Sequence, residues 1–277
     1  MPALGFVPMS LLRDWLAPSG PAVGEVDGRE RRLLVTEILV VATVTLGLSG
    51  LRSLISLLDS LAAPAPLASR QVSIDRPLAT DAWVDLAAQL AASLQLVAWG
   101  ALGLYLLLRA GSGPRAVGLD GTRRGRDVVS ALGLAALIGI PGLGFYLVTR
   151  ALGVNLTVVP SLLDDHWWRV PVLVVSAVAN AWAEEVLVVG WLLSTLRRLG
   201  LSENRSLAVS ALLRGSYHLY QGFGGGLGNV VMGLVFGRYW QRTGRLWPQV
   251  GAHALIDVVA FVGSALLVGK VSFLPGS

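Results

Sequence analysis

Long apolar runs recur along the whole chain, at about 33–58, 83–108, 128–149, 170–196, 206–221, 224–240 and 247–268, separated by short arginine-bearing segments. Only 14% of the residues are charged, against about 25% in an ordinary soluble domain, so the chain lacks the charge to solvate a globular surface. Inside a bilayer the backbone must satisfy its own polar groups, which leaves helices or closed barrels. The runs lack the alternation of barrel strands. The expected fold class is therefore all-α: a polytopic membrane helical bundle of about seven transmembrane helices. A soluble enzyme is excluded, and the absence of cysteine excludes disulfides and thiolate metal sites.

The net charge of +5 does not point to nucleic acid, because the basic residues flank the apolar runs instead of forming a stripe with interleaved aromatics. Arg13, Arg29, Arg31 and Arg32 precede the first run, and Arg109, Arg115, Arg123, Arg124 and Arg126 follow the second. Arg197, Arg198 and Arg205 follow the fourth, and Arg238, Arg242 and Arg245 close the sixth. The opposite connections carry only Arg70, Arg76, Arg150, Arg169 and Lys270. The positive-inside rule then predicts a multi-pass protein of the cell membrane with its N-terminus cytoplasmic and its C-terminus outside. Residues 1–32 read as a cytoplasmic tail, in which Phe6, Val7, Leu11, Leu12, Trp15 and Leu16 suit a short interfacial helix. Residues 33–277 read as the transmembrane domain. His166, beside Trp167 and Trp168 in an outside connection, reads as part of an aromatic membrane anchor.

Ionisable residues inside spans are costly and normally face a partner or a watery cavity. Here the fourth run holds Glu184 and Glu185 side by side, the fifth holds Arg214 and His218, and the seventh holds His253 and Asp257. The last two pairs are each four residues apart, which puts both members on one helical face. Counted from the nearest cytoplasmic arginine, Glu184 and His218 each lie roughly 20 Å deep, and His253 and Asp257 about 12 and 18 Å. Each pair has a structural explanation by itself. Together they predict one polar layer within the membrane.

These residues resemble the signature of the CAAX-protease and bacteriocin-processing (CPBP, or Abi) family of intramembrane proteases. That signature is Glu-Glu-x-x-x-Arg on one helix, Phe-x-x-x-His on the next and His-x-x-x-Asn/Asp on a later one. It falls here on Glu184-Glu185 through Val189, Arg214 through His218, and His253 through Asp257, and the likeness spans about residues 170–268. The chain departs from it twice, with Val189 at the motif arginine and Arg214 at the motif phenylalanine. Positions 189 and 214 lie at matching depth. The spacing therefore predicts that Arg214 pairs with Glu185 in place of the missing arginine, and that an arginine at 189 would be interchangeable with it.

The resemblance implies an endopeptidase acting on a membrane-associated protein or peptide; the lipid bilayer is a further expected partner, and the charge pattern gives no nucleic acid. Glu184 and His218 would activate water, His253 and Asp257 would stabilise the oxyanion, and Glu185 and Arg214 would support them. The cofactor stays open. Glu184, His218 and His253 can be written as a three-ligand site for a divalent metal such as zinc, or the same residues can work with none. The alternative from another class is a non-catalytic membrane scaffold or immunity protein that retains the protease fold.

Overall fold

The computed structural model describes residues 26–267. The interfacial helix expected before residue 17, Lys270 and the C-terminus lie outside the described residues. The first expected span is two helices, α1 (Gly28–Val44) and α2 (Leu46–Ala62), bent by 53° at Thr45. Asp27 caps α1 by accepting from the backbone N–H groups of Arg29 and Glu30, both at 2.8 Å. A connection with a short strand, β1 (Gln71–Asp75), leads to α3 (Ala82–Arg109), which Asp81 caps in the same way. Helix α4 (Arg124–Ala151) is followed by strand β2 (Thr157–Ser161). A continuous helix then runs from Arg169 to Arg198. It is built of α5 (Arg169–Glu184), a π-helical segment Glu185–Leu192 and α6 (Leu193–Arg198). Helices α7 (Glu203–Ser216), α8 (Phe223–Thr243) and α9 (Trp247–Leu267) complete the chain.

Among the described residues three helices are long and apolar enough to cross a membrane, namely α3, α4 and the continuous Arg169–Arg198 helix. The bent α1–α2 pair makes a fourth if it is one span. Helices α7 and α8 miss that standard for physical reasons. Helix α7 is 14 residues long, a rise of roughly 21 Å against a hydrocarbon core of about 30 Å. Helix α8 opens on a glycine run and carries Asn229 and Arg238. Helix α4 is peripheral, with Val129 and Ile140 at least 70% exposed. An apolar face of that kind suits lipid.

The continuous helix is the axis of the bundle: α3 and α9 pack against α5, and α3 also packs against the π segment. Every residue from Glu185 to Leu193 is buried. The π turns loosen the ordinary helical hydrogen-bond ladder, and neighbouring side chains take up exposed backbone groups. Ser210 of α7 donates to the Val188 carbonyl at 2.8 Å. Trp191 is tied through its indole N–H to Glu37 of α1 at 3.1 Å.

The two strands are an addition to the all-α expectation. Residues 71–75 and 157–161 pair in parallel, with Gln71 opposite Thr157 and Asp75 opposite Ser161. Both segments are rich in β-branched residues, which favour a pleated, half-buried surface. The sheet packs against α9. The aromatic anchor expected at 166–168 is also revised. Trp167 is 77% exposed, whereas Trp168 is buried in an apolar cluster with Val172, Leu173 and Phe261 and stacks on His166.

At the other end, Arg245 in the α8–α9 turn joins the two halves of the chain. Its Nη1 meets Asp120 at 2.8 Å, and its Nε and Nη2 meet both oxygens of Asp127 at 3.1 and 2.5 Å. Hydrogen bonds from Thr122 and then from Arg245 hold the Asp120 carboxyl below the usual carboxylate range.

Candidate active site

The π segment begins at the paired carboxylates: Glu184 is the last residue of α5 and Glu185 the first of the π turns. Both are buried, Glu185 completely. Arg214 reaches them from α7, and its guanidinium is completely buried as well. Its Nη2 donates to Glu185 Oε1 and, at 3.3 Å, to Glu184 Oε2. The plane of the guanidinium lies near the Phe236 ring, 5.8 Å from its centroid. The two carboxylates therefore share a cation. Adjacent residues on a helix diverge by about 100°, and the guanidinium bridges that divergence.

His253 continues the chain of contacts from α9. Its Nδ1 lies 2.8 Å from Glu185 Oε1, and its Nε2 lies 3.4 Å from Asp257 Oδ2. Carboxylates only accept hydrogen bonds, so both ring nitrogens are placed as donors. The second contact is longer than a good N–H···O bond. Asp257 is held more firmly by Asn180, whose Nδ2 donates to the same Oδ2 at 3.0 Å. Asn180 lies on α5 one turn before Glu184.

His218 departs from the expectation that it shares a helical face with Arg214. Helix α7 stops at Ser216, and His218 lies in the turn that follows, just before a 3-10 turn at Leu219–Gln221. Its Nδ1 is 3.0 Å from the Arg214 carbonyl. A carbonyl can only accept, so Nδ1 carries the proton and Nε2 keeps its lone pair. The turn is braced from α2, where Ser53 Oγ accepts from the Tyr220 N–H at 2.6 Å.

Two residues in this layer escaped the sequence reading. Asn180 could have been found from its spacing, one helical turn from a buried carboxylate. Tyr217 gave no such signal, because on a continuing helix it would point away from His218. In the turn its hydroxyl donates to Glu184 Oε2 at 2.7 Å, and its ring centroid lies 4.7 Å from that of His218. A further carboxylate enters from the strand end. Asp75 has one side-chain oxygen buried without a hydrogen-bond partner. Burial first, and then the charge of Asp257, push its carboxyl up to about 6, against a hydrogen bond with Ser176.

The structure brings Glu184, Glu185, Arg214, His253 and Asp257 into one connected network. His218 joins it through the Arg214 carbonyl and the Tyr217 ring. The arrangement does not fit a resident metal. Among the described residues no three of His, Asp and Glu converge on a common ligand position. Both nitrogens of His253 face carboxylates, and the Arg214 cation occupies the space between the glutamates.

Residues 166–259 match the family model of type II CAAX prenyl endopeptidase Rce1-like proteins. Over that segment the chain is similar to the Rce1-like family. The match takes in every residue of that network but not Asp75, and it covers about a third of the chain. Rce1-like proteins are proteases of the CPBP group, and with its apolar helices the chain is an integral membrane protein. No curated protein and no solved structure matches the chain.

Proposed function

We propose that this Rce1-like protein is an intramembrane endopeptidase that cleaves a membrane-associated protein or peptide with Glu184 as the general base. The observation that carries this reading is the division of labour at Glu184. Its Oε2 is held by Tyr217 and Arg214, while among the described residues no donor lies on Oε1. Water on that oxygen would lose a proton to Glu184 as its oxygen bonds to the scissile carbonyl carbon. The carbonyl electron pair would move to oxygen, where the loosely held Nε2–H of His253 is the available donor. His218, with Nε2 unprotonated, would align the water. Glu184 would then return the proton to the departing nitrogen as the C–N bond breaks. Asp257, fixed by Asn180, keeps His253 oriented.

The arginine pattern supports a seven-crossing arrangement in the cell membrane with a cytoplasmic N-terminus, and reporter fusions at Arg124 and Ser277 test it. They should report opposite sides of the membrane. The second reading, a non-catalytic scaffold or immunity protein, rests on the departures at Val189 and Arg214. One experiment separates the two: comparative membrane proteomics of cells carrying wild type or Glu184→Gln. Accumulation of an uncut peptide only with the variant, which should remain folded, supports the protease. Indistinguishable peptide profiles support the scaffold.

A further inference from the structure

We infer that Tyr217 is a positioning residue for the reaction, the group that fixes which oxygen of Glu184 faces water and that ties this glutamate to His218. The inference rests on the protease reading above and adds a residue that lies outside the family's signature positions.

Tyr217 has two surfaces with different jobs. Its ring is buried with Val41 and Leu46 of the α1–α2 bend and with Leu187 and Trp191 of the π segment. Its hydroxyl leaves that apolar cluster and reaches Glu184 at 2.7 Å. A buried phenol hydroxyl needs a partner, and the partner here is the carboxylate assigned as base. Of the two bonds on Glu184 Oε2, the one from Arg214 is long at 3.3 Å, since Arg214 is drawn mainly to Glu185. The bond from Tyr217 is short and directed at an ionised acceptor, the stronger kind. It therefore decides the rotamer of Glu184. The same ring lies against His218, so one rigid side chain sets the spacing between the two groups that handle water.

The position of Tyr217 is set from outside the Rce1-like segment. Helix α2 approaches the end of α7 so closely at Gly50 that an added Cβ would lie 2.5 Å from Ser216 Oγ. An added Cβ there would make the Ser216 hydroxyl turn away from its bond to the Leu213 carbonyl. The Ser53 contact to Tyr220 holds the far side of the same turn. A helix–turn bounded on both sides in this way leaves the phenol little freedom.

The test uses the full-length protein in detergent or nanodiscs and the peptide that accumulates in the Glu184→Gln membranes. Tyr217→Phe keeps the ring and removes the bond. We expect kcat to fall by about tenfold or more with KM changed less than about twofold, because the bond acts on the base and not on substrate binding. Its melting temperature should fall modestly, as removal of one buried bond requires, and kcat per folded molecule should still show the loss, which a merely structural role would not produce. Wild-type kcat in Tyr217→Phe, or a fall in kcat matched by loss of folded protein, overturns the inference. A readout independent of turnover is 3-fluorotyrosine at position 217. Its ¹⁹F resonance should move when Glu184 is changed to Gln and stay in place when Glu203 is changed to Gln. No movement on Glu184→Gln overturns the inference. Failure of wild type to cleave any peptide overturns the protease reading itself, while the ¹⁹F shift still reports whether the bond exists.

Discussion

Arg214 and Glu185 stand on different helices, neither exposes any side-chain surface, and a guanidinium N–H of the first is hydrogen-bonded to the carboxylate of the second. A pair so placed gains little over apolar packing, but breaking it leaves an uncompensated charge in a medium that cannot solvate it. Here it also has neighbours to organise. Glu185 receives His253 on the same oxygen, and Arg214 offers its backbone carbonyl to His218. The pair is the hub through which three helices hold their site residues in register.

Arg214→Leu should therefore destabilise the protein by about 3–5 kcal/mol, the usual cost of stranding one member of a buried pair. Thermal unfolding in detergent measures it. Glu185→Gln together with Arg214→Leu should lose less than Arg214→Leu alone, since the stranded charge is gone.

Matched depth had suggested that an arginine at 189 would replace Arg214. The structure points the other way. Val189 is 1% exposed and packs with Val186, Leu193, Leu246 and Val250, so an arginine there must enter an apolar cluster. Val189→Arg should deepen the loss in the Arg214→Leu background. A recovered melting temperature would show that position 189 can turn toward Glu185.

Asp75 supplies a pH-dependent expectation. Its carboxyl is raised to about 6 by burial and by Asp257, so the folded protein holds that proton more tightly than the unfolded chain does. Its contribution is most favourable below the unfolded value near 4 and is lost as pH rises through 6; above that it is a constant penalty. Asp75→Asn should raise stability at pH 7.5 by about 1–3 kcal/mol. It should also flatten the pH dependence between 4 and 6. Unfolding curves across that range check both.

The Arg245 contacts predict a coupling between the two halves of the chain. Arg245→Ala and Asp127→Ala should each lower the melting temperature. Their double-mutant cycle should show an interaction of about 1–3 kcal/mol, as expected for residues in direct contact. Additive losses would mean that the pair contributes nothing of its own.

The membrane class and the identity of the polar layer were legible in the chain, because both rest on local quantities. Apolar length is a property of each segment, and a charge inside such a segment is costly whatever surrounds it. Glu184, Glu185, Arg214, His253 and Asp257 could be picked out on that ground, and helical rise placed them at one depth. Rise gives depth only. Which way each side chain turns depends on backbone events that periodicity does not carry. The helix that would have aligned His218 with Arg214 ends two residues early, and the one that carries the glutamates opens into π turns at Glu185. Those events are decided by neighbours: Ser210 on the Val188 carbonyl, Ser53 on the Tyr220 N–H, Gly50 against Ser216. The same holds for the strands, whose partners are far apart in sequence, and for Tyr217, which meets Glu184 only because the turn swings it there. Burial cost is written residue by residue in the sequence. The partner that offsets it is chosen by packing.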